Sequence, residues 1–167
     1  MKVYHGSTTR IEHPLVKIGR KHLDFGQGFY ITDVEQQAID WAKRPLNRGK
    51  EQILNIYNLE MDKILLAGFR YKRFESYDNE WLQFVIANRQ GQELWKDYDI
   101  IEGGVANDRV FNTIELLTAG LIPQEEALHR LKFEKPNNQL CILNQHIVDN
   151  YLHFVDSAVI GKETQHG

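Results

Sequence analysis

Tyr4-His5-Gly6-Ser7 and Phe25-Gly26-Gln27-Gly28-Phe29-Tyr30-Ile31-Thr32 are the segments on which the fold turns. The first sets a histidine and a glycine at the end of a short β-type run that begins at Lys2. The second sets an aromatic residue just after a glycine-rich turn. A Rossmann reading of Gly26-Gln27-Gly28 fails, because the segment follows a loop, lacks a third glycine and opens no helix. The stretch from Ser7 to Gly28 reads as loop. After it, Asp33 is placed to cap a helix with Gln36 in a capping-box arrangement, and Ala38, Trp41 and Ala42 share one face. That helix fades between Pro45 and Gly49.

Further out, Gln52 to Leu59 is β-like. Asp78 can cap a helix with Trp81, Leu82, Val85 and Ile86 inward. Tyr98 to Ile101 reads as a strand leading into Glu102-Gly103-Gly104. Asn107 is placed to cap a helix bearing Val110, Ile114 and Leu117, and Pro123 suits the first position of another, with Leu128 and Leu131 inward. Asn138 to Leu143 reads as a strand, and Tyr151 to Ile160 as a last strand after a short helical turn. Strands and helices do not alternate regularly, which predicts an α+β domain rather than a doubly wound sheet. One domain is expected over 1–160, followed by a polar, frayed tail over 161–167.

A chain of 167 residues with 42% hydrophobic content suits a single core. The net charge of -3, with mixed signs, argues against a nucleic-acid binder driven by overall charge. Lys17, Arg20 and Lys21 form a local basic run that reads as a solvated loop. The single cysteine, Cys141, excludes an internal disulfide and suits a reducing cytoplasm. It lies in the apolar run Gln139-Leu140-Cys141-Ile142-Leu143 and reads as a small buried hydrophobe. No signal peptide or membrane-spanning segment is legible, so no membrane partner is expected. His13, His22, His129, His146 and His153 lack zinc-site spacing, so no metal is expected, and no Gly-x-Ser-x-Gly occurs. Trp81, Phe84 and Trp95 read as core or groove aromatics, with the core favoured.

The two opening motifs together resemble those of the diphtheria-toxin/poly(ADP-ribose)-polymerase type of ADP-ribosyltransferase. Tyr98-Asp99-Ile100 and Ala106-Asn107-Asp108-Arg109 extend the resemblance, across nearly the whole chain, to bacterial members of that superfamily. The resemblance implies a split, largely antiparallel β core with surrounding helices, and NAD as co-substrate. It assigns His5, Gly6 and Ser7 to the ribose and nicotinamide amide, and Tyr30 to stacking on the nicotinamide. The chemistry suits those assignments. A neutral histidine hydrogen-bonds a ribose hydroxyl. Glycine lets the backbone approach an amide, and Gly26 and Gly28 let the loop turn toward a ligand. An aromatic ring fixes the leaving group's plane.

The chain departs from the family at the late strand. Many members carry a glutamate there, and Gln139 occupies the matching position. Glutamine hydrogen-bonds a ribose hydroxyl but carries no charge and cannot act as a base at neutral pH. Chain elongation is therefore not expected, while mono-transfer and a non-catalytic NAD-binding fold both stay open. Asp108 and Arg109 at a helix start offer a second polar cluster. One reading has Arg109 contacting a pyrophosphate and Asp108 orienting ribose or acceptor, and the other leaves a cap and a solvated arginine. The expectation is an NAD-dependent mono-ADP-ribosyltransferase that modifies a protein or nucleic acid and releases nicotinamide. Its compact size resembles bacterial toxins of toxin–antitoxin or phage-defence pairs, which implies an antitoxin partner. The rival readings are an NAD glycohydrolase and a catalytically silent NAD-binding or interaction module.

Overall fold

The computed structural model describes residues 1–161. Along the chain run β1 (Lys2–Ser7), β2 (Phe29–Ile31), α1 (Glu35–Ala42), β3 (Ile53–Leu59), α2 (Met61–Leu66), β4 (Tyr71–Arg73) and α3 (Asn79–Arg89). There follow β5 (Ile100–Gly103), α4 (Asp108–Thr118), α5 (Gln124–Leu131), β6 (Gln139–Ile142), α6 (Gln145–Tyr151) and β7 (Leu152–Val159). Short 3-10 turns occupy Val16–Ile18, Pro45–Asn47 and Leu94–Asp97. Of the expected tail over 161–167, residues 162–167 lie outside the described residues. Among the described residues no helix is long and apolar enough to cross a membrane.

The strands form two sheets, ordered β1-β3-β7 and β2-β6-β5-β4, and the fold is α+β. All pairings are antiparallel except β4 with β5. Edge strands β1 and β2 meet at one antiparallel bridge. There the Tyr4 N–H donates to the Thr32 carbonyl at 2.7 Å, and the Thr32 N–H to the Tyr4 carbonyl at 3.0 Å. Side chains alternate across each strand, so β6 serves two apolar clusters. Leu140 and Ile142 join Phe29, Ile31 and Ile100, while Cys141 joins Ile101, Phe25, Trp81 and Val110. Burial on both faces explains the unbroken apolar run of β6.

Two helix starts follow their caps. The Asp78 carboxylate accepts from the Trp81 N–H at 2.9 Å, and the Asn107 amide oxygen from the Val110 N–H at 2.9 Å. The expected capping box at Asp33 does not form. Helix α1 begins two residues later, with Val34 at its N-cap and no side-chain cap. Asp33 is drawn away to accept from Asn138 at 2.9 Å, and the Gln36 amide turns to Asp40 at 2.8 Å. Trp41 is 54% exposed, contrary to the inward placement expected beside Ala38 and Ala42. Those two alanines face β1, and the Arg44 guanidinium lies 4.2 Å over the Trp41 ring. Pro123 sits at the N-cap of α5 rather than inside its first turn. Trp81 is fully buried as expected, whereas Trp95 is half-buried and leans on the glycine-rich loop.

Candidate functional site

The bridge brings the end of β1 beside the start of β2, so His5, Gly6 and Tyr30 share one seam between the sheets. His5 Nδ1 lies 2.6 Å from the Tyr30 carbonyl oxygen. A carbonyl only accepts, so Nδ1 carries the proton and the neutral ring presents Nε2 as an acceptor. Burial holds the imidazole below its ordinary range; the Tyr30 carbonyl opposes this and the nearby Arg44 charge adds to it. The ring packs on Phe29 with centroids 4.4 Å apart. Among the described residues nothing hydrogen-bonds Nε2.

Gly6 is required first for packing. A Cβ there would stand 2.0 Å from the Ala38 carbonyl oxygen and 3.0 Å from the Ala42 nitrogen, so α1 rides directly on β1. Its backbone has a second property. Tyr4 directs its N–H and C=O at β2, and antiparallel alternation points those of Gly6 the same way, into the seam. The Ser7 hydroxyl accepts from the Thr9 N–H at 3.3 Å at the strand end.

Tyr30 is anchored by its hydroxyl, which donates to the Gly26 carbonyl at 2.7 Å and accepts from the Phe25 N–H at 3.1 Å. Burial raises its phenol well above the ordinary value, with Cys141 and Asp24 adding to the effect. The hydroxyl is therefore committed to the loop, and the half-buried ring is what Tyr30 can offer a ligand. Gly26 turns the loop with φ 91°, close beneath the Trp95 ring. Gly28 has a packing role. Its missing side chain faces β6, where a Cβ would meet the Ile142 carbonyl at 2.5 Å and Cys141 Sγ at 2.6 Å. It closes the loop onto the sheet.

Gln139 opens β6 opposite Gly103 and, by alternation, shares the sheet face of Cys141 and Tyr30. Its amide has no partner among the described residues. The residues before it are fixed. The Asn138 carbonyl accepts from Thr32 Oγ1 at 2.7 Å and from Gln37 at 3.2 Å, while Asn137 bonds the Val105 backbone in both directions. Asp108 and Arg109 are exposed in the first turn of α4. Among the described residues no hydrogen bond or ion pair links either side chain to His5, Tyr30 or Gln139.

Two residues have a role that the sequence did not assign, Asp24 of the Asp24-Phe25-Gly26 motif and Arg44. Asp24 is buried; it pairs with Arg89 at 2.6 Å and accepts from the Ala106 N–H at 2.7 Å. It thereby ties the glycine-rich loop to α3 and to the loop ahead of α4. Its place at the head of the motif Asp24-Phe25-Gly26-Gln27-Gly28-Phe29-Tyr30 marks it in the sequence without giving it this role. Arg44 is half-buried and its Nε has no partner among the described residues. Nothing in its local sequence marks it. An open groove of about 530 Å³ runs between the start of α3 and α5, lined by Tyr77, Asn79, Leu128 and His129 among others. It contains none of His5, Tyr30 and Gln139.

The family model described as a protein of unknown function (DUF3990) matches residues 1–154, and the chain belongs to that family. The matched span includes every seam residue named above. No curated protein and no solved structure matches the chain.

Proposed function

We propose that this protein is a mono-ADP-ribosyltransferase that binds NAD in the seam between β1 and β2 and transfers ADP-ribose to a macromolecule. The observation that carries the reading is the 2.6 Å contact from His5 Nδ1 to the Tyr30 carbonyl. It joins motifs that lie apart in sequence and leaves Nε2 as an acceptor for a ribose hydroxyl. The donor set suits the dinucleotide. The backbone of Gly6 offers an N–H and a C=O to a carboxamide, Tyr30 offers a ring, and Gln139 offers an unpartnered amide. The order β7-β3-β1 beside β2-β6-β5-β4, broken at the seam, is compatible with the split core that the resemblance implies.

In this reaction the bond between nicotinamide and ribose breaks, and nicotinamide leaves with its electron pair. The acceptor atom bonds the ribose carbon and gives its proton to solvent. Holding ribose and leaving group in fixed geometry is the main contribution available to neutral His5, Gly6 and Tyr30. Gln139 supplies a hydrogen bond and no base, so the acceptor must be nucleophilic without strong activation. By resemblance the protein is a bacterial toxin-type enzyme, and an antitoxin is its natural partner.

Nicotinamide release from NAD, measured with and without cell lysate, tests the proposal. Release that needs lysate and disappears in Tyr30→Ala supports it. Release without lysate replaces it with a glycohydrolase. The uncharged Gln139 favours one other reading, a silent pocket, for which release appears only in Gln139→Glu. No release in any sample overturns the proposal.

A further inference from the structure

Arg44 and Arg20 stand near each other, and among the described residues neither forms a salt bridge. Two segments bring them there. The Gln27 amide donates to the Lys17 carbonyl at 2.6 Å and the Gly19 carbonyl at 2.9 Å, which pins the first basic run against the start of β2. The end of α1 is pinned against β1, where Ala42 abuts Gly6. Because β1 and β2 are antiparallel at their bridge, both segments flank the same end of the seam. Arg44 is close enough to influence His5, and Arg20 close enough to influence Arg44. Lys43 and Arg48 extend the basic surface and are exposed. Among the described residues none of Lys17, Arg20, Lys43, Arg44 and Arg48 forms a salt bridge. The acidic residues nearest in sequence are Glu12, paired with Arg10, Asp24, paired with Arg89, Asp40, bonded by Gln36, and Glu51. A basic surface this dense is notable in a chain of net charge -3.

The surface also has an aromatic plane. Trp41 is 54% exposed, and the Arg44 guanidinium covers its ring at 4.2 Å. An exposed indole beside unpaired guanidinium groups suits a ligand with both phosphates and flat bases. Bases present their faces to a side chain only where they are unstacked, as in a single strand.

We propose that Arg20, Arg44 and Trp41 form a docking surface for single-stranded nucleic acid at the mouth of the seam, and that this nucleic acid is the ADP-ribose acceptor. The arginines hold the phosphodiester backbone, Trp41 stacks a base, and Lys43 and Arg48 form the outer contacts. The acceptor assignment rests on the transferase reading above; the docking surface does not.

Anisotropy of a short labelled oligonucleotide of mixed sequence, as RNA and as DNA, tests the surface without NAD. Single strands are expected to bind, with log affinity falling linearly in log salt. Arg20→Ala with Arg44→Ala should reduce that slope by about 1.4, since each single-strand phosphate contact contributes roughly 0.7. Trp41→Ala should weaken binding about tenfold with the slope unchanged. Lys43→Ala with Arg48→Ala, both on exposed positions, gives a second slope measurement should the Arg44 variant fail to fold. No binding by the wild type at low salt overturns the proposal. So does equal binding of polyglutamate, or a wild-type slope in both double variants. Loss of NAD affinity in the arginine variants, with oligonucleotide binding intact, assigns the pair to the dinucleotide's diphosphate and also overturns it. Oligonucleotide binding without nicotinamide release under any condition keeps the surface and removes only the transferase reading.

Discussion

His5 and Gly6 are neighbours with opposite obligations. Gly6 is irreplaceable for a steric reason that needs no ligand, since backbone atoms of α1 stand where its side chain would be. Gly6→Ala should cost about 3 kcal/mol, as for overpacked sites, lowering the thermal midpoint by roughly 6–12 °C in a chain this size. A wild-type midpoint would show that α1 does not seat on β1 as described. His5 by contrast is tuned. Burial lowers its pKa in the folded protein, so the unfolded chain takes up its proton first as the solution is acidified. Its contribution to stability is present above an unfolded value of about 6.5 and is lost as pH falls through the lower folded value. NMR titration should find the His5 imidazole below the ordinary range, and His5→Gln should lessen the loss of stability on acidification. Titration of His5 at or above the ordinary value would contradict the neutral Nδ1–H form on which the site depends.

Elements here are positioned by a few polar ties. Asp24 holds the glycine-rich loop to α3 through Arg89 and to the α4 approach through the Ala106 N–H. Asp24→Ala leaves the largely buried Arg89 uncompensated and should cost about 3–5 kcal/mol in denaturant unfolding; a loss under about 1 kcal/mol would mean the tie is dispensable. At α4, Asn107→Ala should cost about 1 kcal/mol, because a cap bond to the Val110 N–H is lost. Asp108→Ala, exposed and bonded to no side chain among the described residues, should cost a few tenths of a kcal/mol. Equal losses would undo the distinction between cap and neighbour. Elements with strong periodicity or a capping residue were legible in the sequence, among them β3, α3, α4 and β7. Short ones were not. Helix α2 exposes Leu65 and Leu66, which hides its inward face, and β4 has three residues that pair only through β5. Asp33 misled because a cap signal is local, while the bond to Asn138 that overrides it is tertiary.

At the scale of the molecule, the two sheets share one bridge and one apolar cluster, and β6 contributes to that cluster and to a second one packed among the helices. Cys141 lies within that shared strand, fully buried, its thiol pushed up by burial. A thiol reagent should label the native protein far more slowly than the unfolded chain, with a rate that reports opening of the whole core. Rapid native labelling would mean that β6 opens independently. The α+β class was legible in the chain, and so were the two N-terminal motifs as sequence signals. The seam's surroundings were not, because Asp24, Arg44 and Arg20 acquire their meaning only when loop, helix end and strand edges converge. Gly28 shows the reverse, a motif glycine whose visible role is contact with β6. The central claim, that the seam is a dinucleotide site, is tested most directly by calorimetric titration of NAD into the wild-type protein beside Tyr30→Ala and His5→Ala. Saturable binding by the wild type, lost or much weakened in both folded variants, is the predicted result. No binding by the wild type, or binding unchanged in the variants, would contradict it.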